Sequence, residues 1–366
     1  MKSLYIKNFK NIRELYLPDL GKVNLIVGRN SVGKSSLLEA ISLYLSNGNE
    51  EGLKQLLYNR GEVLARIMDE GHEESNKQRY LSLFTDYKED YSEDFYIEIA
   101  EEKDSLQPLK INQVYIAEER VNDIDTPQVR VHMLSREDLA TLNSNISVIG
   151  QGLRVRSGKI TTSLTYARTR MFPQIEKKVK FEYVHTSDFD TDKNAVLFDK
   201  IALSPDEKYI IQALQVINPR ITRLNYLNVE SLRRPENRIP IVTLEGDSQK
   251  YRLSSMGDGI NRILTIVLAM LNCRDGVLLL DEFETGLHYS VQDELWKMIF
   301  MLSEELNIQV FVTSHSTDCV ISFARTNIDG KGQLMRLENR KDSIIAIDYA
   351  DNKELLFAVN NNIEIR

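Results

Sequence analysis

A short loop between an apolar strand and a helix constrains this chain more than any other stretch. The loop reads GRNSVGKSS, from Gly28 to Ser36, and matches the pattern GxxxxGK[ST]. An apolar run, KVNLIV, precedes it, and SSLLEAISLYL follows it with apolar residues at helical spacing. A strand, this loop and a helix in that order predict a phosphate-binding turn at the start of a helix in an α/β fold.

The composition of the loop fits the binding of a nucleotide. Small residues let consecutive backbone N–H groups surround phosphate oxygens at the positive end of a helix. We expect Lys34 to reach the β and γ phosphates as a point charge and the Ser35 hydroxyl to ligate Mg²⁺. The ligands predicted here are therefore ATP and Mg²⁺. The predicted nucleotide-binding residues are Gly28, Arg29, Asn30, Ser31, Val32, Gly33, Lys34, Ser35 and Ser36.

A second apolar run ends in two acidic residues. Val277 to Leu280 read as a buried strand, and Asp281 and Glu282 follow it directly. The carboxyl ends of strands are where doubly wound sheets bind ligands. We therefore expect Asp281 to hold Mg²⁺, directly or through water, and Glu282 to orient an attacking water and accept its proton.

A third apolar run, VFVTSH, ends in His315. A histidine at this place would hydrogen-bond the γ phosphate and respond to its presence. Gln309 and Thr313, on the same predicted strand, are weaker candidates.

The stretch LSSMGDGINR, Leu253 to Arg262, places two glycines and an acid at the start of an apolar helix. A helix that needed only a start signal would be served by one Ser or Asp cap. The glycines therefore indicate that exposed backbone is required at this helix start.

The composition is that of a globular chain without a membrane span. Of its 366 residues 42% are hydrophobic and 27% charged, and no apolar run approaches the ~20 residues that span a bilayer. The start, MKSLYIKNFK, lacks the apolar core of a signal peptide, so we expect a cytoplasmic protein. Cys273 and Cys319 belong to no metal or disulfide spacing and are predicted to be buried thiols.

The net charge of −8 is unevenly distributed. Asp69 to Asp104 holds thirteen acidic and four basic residues, whereas Leu139 to Ile175 holds no acidic residue. The pattern fits either two solvated faces of one lobe or separate surfaces for separate partners. In the second case DNA would contact the basic residues Arg154, Arg156, Lys159, Arg168 and Arg170.

The chain is organised as one α/β core with an insertion. The strongly patterned segments, 1–47 and 202–366, predict the core, and 48–201 predicts an inserted peripheral α+β lobe. No heptad run is long enough for a coiled-coil arm. Within the lobe, TSDFDTDKN (186–194) has alternate acids but lacks the glycine of a Ca²⁺ loop, so it is predicted to be a solvated loop.

These motifs, in this order, resemble those of ABC-type ATPases of the SMC/RecF group, and more closely the stand-alone AAA15 or OLD-like ATPases. The residues that carry the resemblance are NFKNI, GRNSVGKS, SSMGDG, LLLDEFETGLH and TSHS, which span Asn8 to Ser316. The middle third matches only loosely. The resemblance implies a P-loop NTPase fold of ABC/SMC-head type with a mixed sheet core.

The resemblance also implies a homodimer, or a higher oligomer, held together by ATP. In that family the signature of one subunit is presented to the γ phosphate on the Walker loop of a head-to-tail partner. ETGLH, Glu284 to His288, resembles the loop that crosses between the two sites. The residues of this signature in trans would be Ser254, Ser255, Gly257, Asp258 and Gly259.

The sequence departs from the family at two places. No convincing Q-loop glutamine lies between the Walker loop and the signature, and 51 residues after His315 are too few for the Toprim nuclease domain of OLD proteins. The first function predicted is therefore an ATPase switch without nuclease activity of its own. It would control a separately encoded effector, a Toprim-like nuclease in defence against phage or other foreign DNA.

Two alternatives stay open. A RecF-type repair ATPase would act on DNA directly, and the basic stretch from Arg154 to Arg170 favours it. The acidic pI of about 5.4 and the lack of a coiled-coil arm favour the effector-controlling switch. A metabolite kinase is a distant third, because nothing after Ser36 resembles an acceptor pocket.

Overall fold

In the computed structural model the described residues are 1–59, 72–121, 128–166, 176, 178–186, 191–231, 234–327, 330–340, 343–349 and 355. Their strands are β1 Leu4–Phe9, β2 Ile12–Leu17, β3 Val23–Val27, β4 Tyr96–Ala100, β5 Leu109–Val121, β6 Gln128–Leu134, β7 Ile146–Ser157, β8 Ile160–Thr165, β9 Phe181–Val184, β10 Ile221–Ser231, β11 Arg234–Leu244, β12 Lys250–Arg252, β13 Val277–Leu280, β14 Gln309–Ser314, β15 Gly332–Arg340 and β16 Ser343–Tyr349. Their α-helices are α1 Lys34–Leu45, α2 Glu50–Asn59, α3 His72–Leu81, α4 Thr191–Asp199, α5 Glu207–Gln215, α6 Asp258–Leu271, α7 Tyr289–Glu305 and α8 Thr317–Thr326. None of these helices is both long enough and apolar enough to cross a membrane.

The first of two compact units contains the described residues of 1–20, 39–178 and 339–346. It is built on a seven-stranded sheet in the order β2-β1-β4-β5-β7-β8, with β6 also paired to β5. All of its neighbouring strands are antiparallel. In β2 the buried Leu15 and Leu17 alternate with the exposed Tyr16, so one face of this strand packs on the core and the other meets solvent.

The second unit contains the described residues of 21–38, 179–338 and 347–366. Its main sheet has the order β16-β15-β3-β14-β13-β9, and the five strands from β15 to β9 run parallel. Every residue of β3 and β13 is buried, because both faces of a parallel sheet are covered. A separate antiparallel sheet, β10-β11-β12, belongs to the same unit.

Two groups of helices pack in this unit. Helix α6 is apolar on nearly all sides and contacts α4, α5 and β9. Helix α7 packs on α8, and its Trp296 stacks on Phe283, with ring centroids 4.5 Å apart, and meets Phe323 edge-on at 5.0 Å. Since Phe283 follows β13 by three residues, this aromatic cluster anchors the chain just beyond the carboxyl end of that strand.

The division into units differs from the predicted boundaries at both ends of the insertion. The first hairpin pairs with the lobe, because β1 lies against β4 with Tyr5 opposite Ala100. Residues 179–201 belong with the core, because β9 pairs with β13 and Val184 lies opposite Leu280. Hydrogen-bonded pairing decides both assignments, and the sequence pattern does not reveal which strands pair.

The prediction of a solvated loop at 186–194 is wrong for its second half. Thr191 to Asn194 form the first turn of α4, and Asn194 is buried with its Nδ2 donating to Thr265 Oγ1 at 2.8 Å. Residues 187–190 lie outside the described residues. The prediction of two buried thiols is confirmed, and burial raises the pKa of both Cys273 and Cys319.

Candidate nucleotide site

The glycine-containing loop leads from β3 directly into α1. Lys34, the first residue of the helix, is 9% exposed, and its ammonium donates to the carbonyl oxygens of Gly28 at 2.8 Å and Arg29 at 3.0 Å. Burial lowers the pKa of Lys34, while the charges of Glu282, Glu284 and Asp281 oppose this shift. The ammonium thus folds back over the loop and lies within the field of these carboxylates.

The side chains of Ser35 and Thr313, from two different elements, both contact the side chain of Asp281. The carboxylate oxygen Oδ1 of Asp281 accepts from Thr313 Oγ1 at 2.5 Å and from Ser35 Oγ at 3.2 Å. Ser35 belongs to α1, Asp281 follows β13, and Thr313 is on β14. The parallel order of β3, β14 and β13 brings them together, because the carboxyl ends of parallel strands share one edge.

The hydroxyl of Thr313 also holds the backbone of the next acid. It accepts from the N–H of Glu282 at 2.9 Å, and the neighbouring Phe283 N–H donates to the carbonyl of Thr313 at 3.0 Å. Glu282 has a positive φ of 49°, and its Oε2 accepts from Thr285 Oγ1 at 3.3 Å. Thr313 was only a weak candidate in the sequence analysis, yet it contacts both acidic residues.

Arg262 hydrogen-bonds the backbone at this edge of the sheet. It is fully buried on α6, and its guanidinium donates to the carbonyls of His185 at 2.8 Å, Asp281 at 2.7 Å and Glu282 at 3.1 Å. A buried guanidinium requires acceptors, and the backbone carbonyls beyond β9 and β13 supply them. Sequence reasoning missed this role, although an arginine within an otherwise apolar helix was the available signal.

His315 follows β14 and contacts a residue that the sequence analysis did not assign to the catalytic site. Glu284 Oε1 accepts from the backbone N–H of His315 at 2.8 Å and lies 3.0 Å from its Nδ1. The side chain of Glu284 is 12% exposed and that of His315 is 46% exposed. Glu284 therefore fixes both the backbone and the ring of His315, which remains accessible to a ligand. Gln309 starts β14 instead and donates to the Gly21 carbonyl, so it lies at the opposite end of the strand from Thr313.

The predicted signature forms a short 3₁₀ turn followed by the start of α6. Ser254, Ser255 and Asp258 are exposed, and Ser255 Oγ donates to the Arg252 carbonyl at 2.6 Å. Gly257 has φ 99°, which favours glycine, and a Cβ there would meet no atom within 4 Å. A Cβ at Gly259 would lie 2.8 Å from the Gly286 carbonyl, so this glycine permits close packing against the Glu284–His288 loop.

The basic stretch of the other unit is not an uninterrupted basic surface. Arg154 forms an ion pair with Glu93 and is only 11% exposed, and Arg156 donates to Asn112. Lys159 is exposed in the turn between β7 and β8. Arg168 and Arg170 lie outside the described residues. The expectation that Arg154 offers its charge to DNA is therefore not supported.

The arrangement in the second unit suits the binding of phosphate together with a hard cation. The Ser35 hydroxyl and Asp281 carboxylate are oxygen donors of the kind that Mg²⁺ prefers, and they already lie within contact of each other. Lys34 supplies a positive charge at the helix start, and Glu282 supplies a carboxylate at the same edge. Among the described residues no cluster of three or more His, Cys, Asp or Glu side chains could hold a metal by itself.

Comparison with known proteins gives matches over most of the chain both in sequence and in structure. An "ATP/GTP phosphatase" of Helicobacter pylori is 27% identical over 344 residues, covering 87% of this chain and 86% of that protein. A DNA replication and repair protein RecF of Clostridioides difficile is 49% identical over 41 residues, which is 11% of each chain. A crystal structure of an SMC head, bound to the C-winged helix domain of ScpA, is 12% identical with a TM-score of 0.51, covering 97% of this chain and 99% of that chain.

The SMC-head likeness confirms the fold expected from the motifs, with the phosphate loop, the acidic strand end and His315 in one α/β unit. The profile of AAA_15, the AAA ATPase domain family, matches residues 1–320. The chain therefore belongs to the AAA_15 family of AAA ATPase domains and has the P-loop fold of an ABC/SMC-type ATPase.

Proposed function

We propose that the chain binds and hydrolyses ATP at the edge formed by β3, β13 and β14, and that it uses this cycle as a conformational switch. The observation that carries the proposal is that the hydroxyls of Ser35 and Thr313 both donate to the same carboxylate oxygen of Asp281. Family membership and the phosphatase name of the Helicobacter pylori relative support the hydrolysis of a nucleoside triphosphate.

Each residue of the edge has a proposed role. The backbone from Gly28 to Ser36 surrounds the phosphates, and the Lys34 ammonium leaves the carbonyls of Gly28 and Arg29 for the β and γ phosphates. Ser35 and Asp281 hold Mg²⁺, which neutralises phosphate charge when it is bound. Thr313 keeps the Asp281 carboxylate in place through its 2.5 Å hydrogen bond.

Hydrolysis also requires a proton acceptor for the attacking water. Glu282 is proposed as this general base, since its backbone is fixed by Thr313 and Arg262 while its side chain stays partly exposed. His315 donates a hydrogen bond to the γ phosphate, with its ring held by Glu284. Both side chains follow strands of one parallel sheet, which supports their action on one substrate.

A second copy completes the site in this proposal. The exposed Ser254, Ser255 and Gly257 are presented to the γ phosphate of a head-to-tail partner, where the uncapped start of α6 favours negative charge. ATP then holds a dimer together, and hydrolysis opens it. We propose a separately encoded effector, a Toprim-like nuclease acting against foreign DNA, as the recipient of this motion. The support for that partner is the resemblance to OLD-like ATPases alone.

The test measures phosphate release from ATP and GTP by the full chain with Mg²⁺, together with its mass in solution by light scattering. We expect ATP turnover that is lost in Lys34→Ala and retained in Lys208→Ala, which removes an exposed lysine outside the site. We expect dimers only with ATP. Turnover in Lys34→Ala equal to that of the unchanged chain would refute the assignment of the site.

A second candidate function, direct action on DNA, is favoured by the short match to RecF. It requires a DNA surface other than Arg154, whose charge is already paired with Glu93. DNA-stimulated ATPase activity of the isolated chain, falling steeply with salt, would establish this alternative. Lys159→Ala is the variant to compare in this DNA-stimulated ATPase assay. Lys159 is exposed and outside the nucleotide site, so its loss can affect DNA contact without changing that site.

A further inference from the structure

A cleft lies beside His315, between the starts of α7 and α8. Its volume is about 510 Å³, and it opens to solvent. Its lining includes Glu284, His288, Tyr289, Gln292, His315 and Asp318. The proposed ATPase chemistry uses His315 and Glu284, and His288 belongs to the stretch that resembles the loop crossing between the two sites. Tyr289, Gln292 and Asp318 are left without a role.

Four backbone N–H groups around the cleft have side-chain acceptors. Glu284 Oε1 accepts from the His315 N–H at 2.8 Å, and Ser314 Oγ accepts from the Ser316 N–H at 3.0 Å. At the two helix starts, Ser316 Oγ accepts from Cys319 N and His288 Nδ1 accepts from Ser290 N, each at 3.4 Å. These four donors are therefore already engaged within the chain.

Two buried oxygen acceptors of the lining, in contrast, receive no hydrogen bond from the described residues. One is Glu284 Oε2, the carboxylate oxygen that does not contact His315, and the other is Gln292 Oε1. Gln292 is only 2% exposed. Buried oxygens without donors are costly and normally absent, so their occurrence in the wall of a cleft indicates a ligand that donates hydrogen bonds.

The charge of the cleft agrees with this indication. Glu284 and Asp318 contribute carboxylates, and no Lys or Arg belongs to the described lining. Tyr289 is 64% exposed, and its ring lies 4.2 Å from that of His288, so an aromatic face is offered at the opening. A cation with planar donors matches carboxylate, amide oxygen and aromatic ring together.

We propose that this cleft binds a guanidinium group, the side chain of an arginine presented by a protein. A guanidinium carries five donors in a rigid fork, stays charged and stacks on aromatic rings, whereas an ammonium lacks the planar fork. One edge of the fork donates to Glu284 Oε2 and Gln292 Oε1, and Asp318 adds charge at the rim. Because Glu284 Oε1 holds His315, an arginine on its other oxygen touches the residue that positions the γ-phosphate ligand.

The probe for this site is n-butylguanidinium, with the neutral n-butylurea as its shape-matched control. Saturation-transfer NMR on the full chain should give at least tenfold tighter binding of the guanidinium. Gln292→Leu should weaken that binding at least tenfold, and Gln249→Leu, an exposed glutamine outside the cleft, should leave it unchanged. Equal binding of both probes, or full affinity in Gln292→Leu, would overturn the proposal.

Two further variants test the site independently of Gln292→Leu. Asp318→Asn changes an exposed residue and should fold normally, with guanidinium binding weakened at least threefold; undiminished binding would count against the site. Lys34→Ala should lose ATPase activity and keep guanidinium binding, so failure of the cleft and failure of the ATPase proposal are distinguishable. In ATP-bound Glu282→Gln dimers, exclusion of the probe assigns the arginine to the second copy, and continued binding assigns it to a different protein.

Discussion

Replacing Thr313 by valine tests whether the three-way contact at Asp281 is needed for hydrolysis. Valine has nearly the shape of threonine but cannot donate to Asp281 or accept from the Glu282 N–H. Thr313 is fully buried, so water cannot replace the lost hydroxyl. The substitution therefore removes two hydrogen bonds, at 2.5 and 2.9 Å, and leaves a backbone donor unsatisfied.

The expected magnitude follows from these two contacts. A hydrogen bond to a charged group contributes about 1.5–3 kcal/mol, and an unsatisfied buried N–H costs about 1–3 kcal/mol. We expect the free energy of unfolding of this unit to fall by about 2.5–6 kcal/mol. The Asp281 carboxylate and the Glu282 backbone also lose their positions, and a tenfold loss in kcat corresponds to about 1.4 kcal/mol of barrier. A fall in kcat of roughly 10- to 100-fold is expected on this basis.

Thr265→Val separates the effect on the site from the effect on stability. Thr265 is also buried, and its hydroxyl also makes two hydrogen bonds, to the Asn261 carbonyl at 2.9 Å and from Asn194 Nδ2 at 2.8 Å. Phosphate release and denaturant unfolding are measured on both variants and on Thr313→Ser. We expect similar losses of stability from the two valines, loss of kcat only in Thr313→Val, and its recovery in Thr313→Ser. Equal kcat in the two valine variants would refute the reasoning.

Three further predictions concern the proposed dimer and its partners. Glu282→Gln should bind ATP and form a lasting dimer while phosphate release falls by ~10² or more, because the proton acceptor is gone; normal turnover would place the base elsewhere. Gly257→Arg and Lys34→Ala chains, each inactive alone, should regain part of their activity when mixed, since one composite site is then intact; heterodimers without recovery would show that the signature does not act in trans. The isolated chain should cut no DNA with Mg²⁺ or Mn²⁺, and cleavage by pure protein in a gel assay would contradict an external effector.

The local pattern of this sequence predicts where the candidate site residues lie when their position depends on a single strand or helix. The apolar runs before Gly28, Asp281 and His315 are strands of one parallel sheet, so the residues after them reach one edge. The parallel arrangement follows from the alternation of strands and helices in the sequence. The meeting of Ser35 and Asp281, 246 positions apart, was thus predictable without the structure.

Contacts that depend on which strands pair could not be predicted in this way. Arg262 contacts the carbonyl of His185 because β9 lies beside β13, and nothing in the pattern of KVKFEYV distinguishes that neighbour from a strand of the lobe. Glu284 resembles any acid in a turn until the fold places it against His315. Charge counts failed for a similar reason, since the tertiary pairing of Arg154 with Glu93 cannot be read from net charge.

The structure shows that the two signature glycines, Gly257 and Gly259, are required for different physical reasons. Both were predicted to expose backbone, yet a Cβ at Gly259 would meet the Gly286 carbonyl at 2.8 Å, so Gly259 is needed within the chain. At Gly257 a Cβ meets nothing within 4 Å, and the backbone strain of a substitution at φ 99° costs about 1–3 kcal/mol. A variant at Gly259 is therefore expected to be inactive whether or not a dimer forms. In Gly257→Arg the Cβ starts in open space, so the cost expected within its own chain is backbone strain, and the longer side chain obstructs a molecule that approaches from outside. The mixing experiment depends on that difference, and Gly257 is the position at which it can test action in trans.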